Sequence, residues 1–500
     1  MRDPLPHVTR FDGARRLPVA VLAALFLLLL AGAPASADAL VGWTQFQGGA
    51  GHSGVAPSGP APPYVEAWTF KIAPKDEEGL SAPVIANGLA ITVGPEAVYG
   101  VDLSTGEQRW SVPRDGPPAP PAVAIDGERQ LVLFTAGRDA EASVLRAIDL
   151  KTQEDAWEAP APLEALSRTG VTVDGSRAFV ADANGTVYAV DAANGTPDWT
   201  AELAGEPKGP LAVADGKVFA VPIAHEFTTS LTAQVIALEE STGDEVWNYT
   251  PRPPSPILSL PAANGGEGVV VGPGSVGDAQ VIALSSGEGA EAWKTRLNDF
   301  LLPFSAPATT GDAVYAADRN GGLHSIDPRT ATQTWQFQFN ERVVRGSPVV
   351  VGGDVLIGLG DGTLASVDRS TGRLVWRSQP AIGFIGSMAV APDIVVAVRG
   401  AKDGGLVAFG HDDAGSLVDV PSPTIPRYWE ILGAWALAFV GVGAAILVPL
   451  TLVSRRVGPA EIRGETDAGG GEDRDDEDRD DEGDQYDEDD EDDEDDEDET

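Results

Sequence analysis

Arg168, Lys208, Arg252 and Arg345 are the side chains whose placement most suggests a site. Each stands in a short polar stretch leading into a new apolar segment, so a repeating fold would gather them at one mouth. Cations converging on an otherwise acidic protein could capture a carboxylate or an acidic peptide. Other chemistry is harder to build. The chain has no Cys, which removes disulfides, thiolate metal sites and Cys nucleophiles together. Its five His (His7, His52, His225, His324, His411) include no pair at ligand spacing. His225 and Glu226 lie in the longest insertion, near 222–233, but one His and one Glu do not make a metal site. The Asp residues are concentrated in turns, where capping explains them. The expected catalytic, metal and cofactor-binding residues are therefore none.

The elements that would carry the four cations follow one phrase, written seven times. The first copy is Gly100-Val101-Asp102-Leu103-Ser104-Thr105-Gly106-Glu107-Gln108-Arg109-Trp110. It recurs ending at Trp157, Trp199, Trp247, Trp293, Trp335 and Trp376, with steps of 47, 42, 48, 46, 42 and 41 residues, and Trp68 lies 42 before Trp110. That period is one blade of a β-propeller. Apolar residues flank a turn of short oxygen side chains and Gly, so each copy reads as a hairpin. A Trp at a fixed place on each second strand can dock on the neighbouring blade, which assigns structural docking to Trp68, Trp110, Trp157, Trp199, Trp247, Trp293, Trp335 and Trp376. The opening residue (Gly100, Ala147, Ala189, Ala237, Ala283, Ser325, Ser366, Ala408) is small in every copy, as if an indole or backbone packs on it. Glu239 and Ser285 replace the Asp, and Gln153 and Ala331 replace the Gly, which predicts looser turns there.

Turn pairs such as Asn87-Gly88 set the blade limits: strands over 81–86, 89–94, 98–102 and 108–112 in the first blade. In the eighth copy Leu406-Val407-Ala408-Phe409 gives a third strand, yet no Trp follows. The missing fourth strand is the one around Trp68, which closes the ring. The fold class is all-β: an eight-bladed β-propeller closed by an N-terminal strand.

The opening Trp43-Thr44-Gln45-Phe46-Gln47-Gly48-Gly49-Ala50-Gly51-His52-Ser53-Gly54, with the repeats after it, resembles the pyrroloquinoline quinone-like repeat family over residues 43–410. The family includes quinone-dependent dehydrogenases and cofactor-free scaffolds such as the lipoprotein subunit of the outer-membrane barrel assembly machinery. Its enzymes hold quinone in the propeller axis on a stacked Trp, in many members with a vicinal disulfide, beside Ca²⁺ bound by Glu, Asn and Asp and a catalytic Asp. No position here matches those ligands, and only Trp43 is free of the seam register to serve as a floor. The resemblance thus implies the scaffold branch, with no cofactor.

Charge and hydropathy place this ring. The 34 basic and 76 acidic residues give a net −42, which makes nucleic-acid binding improbable. Only 7 of the 34 cations are Lys, an acidic, lysine-poor balance resembling surface proteins of salt-loving archaea, whose fold should weaken at low ionic strength. Residues 1–37 read as a signal peptide. A Pro-rich linker, 411–427, leads to a transmembrane helix over 428–454, whose 24 uncharged residues from Ile431 to Ser454 span roughly 36 Å. Arg455 and Arg456 put the tail, 455–500, in the cytoplasm. That tail is nearly pure Asp and Glu and is expected to be disordered. Asn184, Asn194 and Asn248 open glycosylation sequons on the outer side, although Asn-Gly at the first two is also ordinary turn chemistry.

The expectation is a monomeric, single-pass membrane protein of the cell surface, a non-catalytic scaffold for a protein or envelope partner. The alternatives are a quinone- and Ca²⁺-dependent dehydrogenase with a cysteine-free site and a sensor signalling through the tail. Ala237→Leu is expected to lower stability by about 1–3 kcal/mol through overpacking beneath an indole. Unchanged thermal melting would contradict the packing role of that position.

Overall fold

The computed structural model describes residues 42–72, 79–138, 143–225, 231–252, 259–263, 268–272, 280–297, 305–343, 346–400 and 404–411. The predicted signal peptide, transmembrane helix and acidic tail lie outside them. Eight antiparallel blades follow one another. Blade 1 comprises Val84–Ala86, Leu89–Val93, Ala97–Asp102 and Gln108–Pro113. Blades 2 to 7 repeat that order within 122–162, 172–202, 212–249, 262–296, 308–338 and 349–377. Blade 8 is built of Phe384–Ala391, Ile394–Gly400 and Gly405–His411, and the N-terminal strand Tyr64–Lys71 completes it by pairing with Gly405–His411. The ring closes as the repeat predicts. One departure is blade 2, where the fourth strand shrinks to Ala161–Pro162 and Trp157 lies outside any strand.

The repeated phrase makes the seams. In five of them the indole N–H donates to a carbonyl in the next blade's hairpin turn: Trp68 to Leu103 (2.9 Å), Trp157 to Ala192 (3.2 Å), Trp199 to Glu240 (2.9 Å), Trp247 to Ser286 (3.0 Å) and Trp335 to Arg369 (2.9 Å). The ring then lies on the Gly of that same turn. A Cβ on Gly195 would stand 2.5 Å from the Trp157 ring, and one on Gly243 2.5 Å from Trp199. Both glycines have positive φ, 75° and 77°. Two demands therefore meet at one position, a left-handed backbone and an absent side chain.

Across the hairpin the Trp faces the small opening residue, with Ala237 opposite Trp247 and Ser366 opposite Trp376. A β-bulge falls between that residue and the next in each of these pairs, which turns the Trp out of its own sheet and toward the neighbour. The turns hold through the Asp: Oδ1 of Asp368 accepts from the backbone N–H of Ser370 and Thr371 and from both hydroxyls. Those hydroxyls hold its carboxyl down at about 2. At Glu239 and Ser285 the backbone bonds from Gly243 and Gly289 (2.8 and 2.9 Å) keep the turn without the carboxylate cap.

The inner edge of each first strand faces the axis, and its N–H groups would be bare there. Residues 43–54 cover them. Trp43, Thr44, Ala50, Gly51, Ser53 and Gly54 accept through their carbonyls from Ile85, Val123, Val213, Ala263, Thr309 and Val350, at 2.7–2.8 Å. Gln45 bonds Val173 through both ends of its amide (2.8 and 3.0 Å). One segment thus visits blades 1 to 7 in order, then joins blade 7 as the parallel strand Val55–Ala56. The approach is close: a Cβ on Gly51 would meet the Ala263 carbonyl oxygen at 2.3 Å. His52, fully buried within this segment, packs edge-on to Phe46 at 5.1 Å, and burial pushes its imidazole down to about 3.

Two outcomes follow from this packing. Gly195→Ala is expected to cost clearly more than Gly175→Ala, because a Cβ at Gly175 meets nothing within 4 Å and adds only the left-handed backbone cost of about 1–2 kcal/mol. Equal losses in thermal unfolding would remove the indole from the explanation. For His52 the folded chain refuses a proton that the unfolded chain accepts, so stability falls as pH drops from about 6.5 toward about 3. The stability gap between the native protein and His52→Asn should be constant above pH 7 and narrow below it; a gap independent of pH would contradict this.

Candidate functional site: the axial mouth and its loops

First and third strands of every blade run the same way, so the 1–2 and 3–4 turns share one face and the loops entering each blade share the other. The segment 43–54 pairs with the inner strands near their turn ends. Phe46 stands at the centre, where it packs against Leu260, Ala306 and Ala82 of blades 5, 6 and 1. Only the axis brings those blades to one ring. Trp43, the candidate floor, is instead 2% exposed in the cluster between blades 7, 8 and 1, with its ring on Gly48. Phe46 rather than Trp43 therefore stands at the axis.

On the loop face the three described cations of the expected four do not form one cluster. Arg168 and Lys208 come together on Glu206, Arg168 at 4.0 Å and Lys208 in direct contact. Their charge is therefore partly met by a carboxylate that the sequence pattern does not single out. Arg252 lies one blade further on, acting on the pair in which the Tyr249 hydroxyl donates to Glu291 at 2.6 Å. Burial and that carboxylate push the Tyr249 phenol above its usual range. Arg345 and Glu226 lie outside the described residues. The insertion around 222–233 forms a small sheet of its own: Pro222–His225 pairs with Leu231–Ala233 on one side and Glu206–Pro207 on the other. It stands on the same side as Arg168 and Lys208.

Two buried carboxylates went unmarked by the repeat. Asp182 accepts from the N–H groups of Ala165, Asn184 and Thr186 and from the Tyr188 hydroxyl at 2.8 Å. Asp318 accepts from Asn320 and Gly322 and meets His324 Nε2 at 2.8 Å, with Gln333 on the other ring nitrogen at 3.0 Å. Both stand at 2–3 turns, where their oxygens close the hairpin. The signal was Asp-x-Asn-Gly before each third strand, which reads as a turn.

No group of three or more His, Asp or Glu able to hold a metal occurs among the described residues. A quinone with its Ca²⁺ does not fit what is there: Phe46 packs across the axis and the two buried carboxylates are committed to turns. The sequon asparagines Asn184, Asn194 and Asn248 are exposed. Asn194 Oδ1 accepts from the Thr196 N–H, as the turn reading has it, and it borders a shallow surface cavity of about 320 Å³ on blade 3 with Arg177 and Asp198. Asn248 lies on the outer strand of blade 4, bonded to Glu245. No helix among the described residues is long and apolar enough to cross a membrane.

Comparison with known proteins agrees with this architecture. The outer membrane protein assembly factor BamB of Burkholderia pseudomallei is 28% identical over 250 residues, which are 46% of this chain and 59% of that protein. The Yersinia pestis BamB is 24% identical over 329 residues, 53% of this chain and 79% of its own. The chain therefore spans little more than half of the first of these relatives. The quinohemoprotein alcohol dehydrogenase ADH IIB of Pseudomonas putida is 26% identical over 171 residues, 32% of this chain and 19% of the enzyme. Among solved structures, BamB from Moraxella catarrhalis superposes with a TM-score of 0.50 at 16% identity, covering 69% of this chain and 99% of that one. The quinohemoprotein alcohol dehydrogenase ADHIIG of Pseudomonas putida gives 0.55 at 13%, covering 74% and 80%. The profile of the PQQ-repeat family described as outer membrane protein assembly factor BamB matches residues 140–229 and 224–415, more than half of the sequence, and the chain belongs to that family.

Proposed function

We propose that this chain is a non-catalytic binding propeller, anchored in the cell membrane by the helix over 428–454, whose loop face receives a protein or envelope partner. The observation that carries the reading is the axis. Phe46 and the segment around it fill the centre with the chain's own residues, which leaves the rim as the surface available to a ligand. That rim carries Arg168, Glu206, Lys208 and the added sheet of blade 4, and loops on a rigid scaffold are where binding function collects. The last described strand ends at His411 on the opposite, turn-bearing face. Family membership supports the scaffold branch, and the name of the relatives describes assembly rather than a reaction. The acidic, lysine-poor composition fits a protein working in high salt.

A quinone-dependent dehydrogenase is the second reading, favoured by the partial similarity to the alcohol dehydrogenase of Pseudomonas putida. Crosslinking of the full chain in native envelopes is the test. A discrete crosslinked partner is expected, and its yield should fall severalfold in the Arg168→Ala, Arg345→Ala double variant. Recovery of no partner, or of the same partner at unchanged yield, would remove the loop-face assignment.

A further inference from the structure

Five seams carry the indole-to-turn latch, and two that the repeat predicts do not. Trp110 would dock on the turn of blade 2 and Trp293 on the turn of blade 6. Those are the two turns where Gly is replaced, by Gln153 and Ala331. Both residues still adopt the left-handed backbone, with φ of 60° and 54°, so the turns survive. Their Cβ atoms, however, occupy the space that the indole fills at the latched seams, where the gap to a Cβ is only 2.5–2.7 Å.

The consequences differ at the two places. Trp110 folds back over its own blade: a Cβ on Gly100 would lie 2.1 Å from its ring, and its buried Nε1 has no acceptor. Blade 1 is the copy in which the opening residue is Gly. Trp293 stays half-buried in the cluster joining blades 5 and 6 and makes no bond to the turn. Apolar clusters still span both seams, with Trp110 packed against the one joining blades 1 and 2, but the directional bond from indole to turn is replaced by other polar contacts. Arg146 donates to the Pro113 carbonyl at 3.1 Å across the first seam, and the Thr295 hydroxyl to the Ala331 carbonyl at 2.8 Å across the second. At the remaining seam, between blades 7 and 8, there is no turn to latch onto. Trp376 is wedged there between Tyr64 and Phe409, with ring centroids 5.0 and 6.4 Å away.

We propose that the ring has two weak seams, between blades 1 and 2 and between blades 5 and 6, along which two four-blade halves move against each other. The two seams are four blades apart, so they lie on opposite sides of the ring and define one hinge line. The half made of blades 2–5 is latched throughout, and it carries Arg168, Glu206, Lys208, the added sheet and Arg252. The inference rests on the latch and holds whatever the loop face binds. It assigns that face to one rigid half and the adjustable part to the lines bounding it.

Hydrogen exchange of the full chain, read by mass spectrometry at the 3–4 turns, tests this. In the native protein the turn amides around Gln153 and Ala331 should exchange about tenfold or more faster than those around Gly195, Gly243, Gly289 and Gly372. Restoring the template, with Gly100→Ala plus Gln153→Gly at one seam and Ala331→Gly at the other, should slow exchange there. Gly243→Ala should speed exchange at the seam between blades 3 and 4. Equal exchange at all these turns in the native protein overturns the proposal without recourse to any variant. So does a folded, template-restored protein with unchanged rates at both seams.

Discussion

The contact on which the rest depends is an indole lying on a glycine of the next blade. A blade buries both faces, so its neighbours must meet it closely all round, and a large ring at the seam supplies apolar area together with one directional bond. The bond fixes the angle between blades, since the acceptor is a carbonyl in a turn held by its own backbone bond and, in most copies, by an Asp cap. Register, turn and Trp therefore work together, latching five of the eight seams, and eight blades bring the first strand back to the last one.

The centre is held differently. The inner strands cannot satisfy their axial N–H groups among themselves, because the blades diverge from the axis. A single extended segment does so for seven blades, at contacts close enough that Gly51 tolerates no side chain. The propeller thus has a hub as well as seams. The loops of the rim, by contrast, lie outside the hub and the seams, where substitutions cost a scaffold little.

Much of this was legible in the sequence because the repeat is periodic. Trp spacing gave the blade count, the absent eighth Trp gave the closing strand, and the small residue opposite each Trp gave the packing. What could not be read was anything whose cause lies on another blade. The Gly of each turn reads as backbone chemistry alone, yet the ring it accommodates belongs to the preceding blade, so Gln153 and Ala331 read as loose turns rather than as lost latches. The opening segment reads as a family signature, while its partners are backbone groups on seven strands with no residue-type signal. Glu206 between Arg168 and Lys208 was likewise invisible, since nothing in its own neighbourhood marks it as their counterion.

The claim that the axis is structural and the protein non-catalytic meets its most direct test in a titration. The full-length protein, kept at high salt, would be titrated with pyrroloquinoline quinone and Ca²⁺ while Trp fluorescence and dye-linked alcohol oxidation are followed. With Phe46 across the axis, no saturable change and no turnover are predicted. Saturable, Ca²⁺-dependent binding with oxidation of alcohol would contradict the account and return the chemistry to the channel.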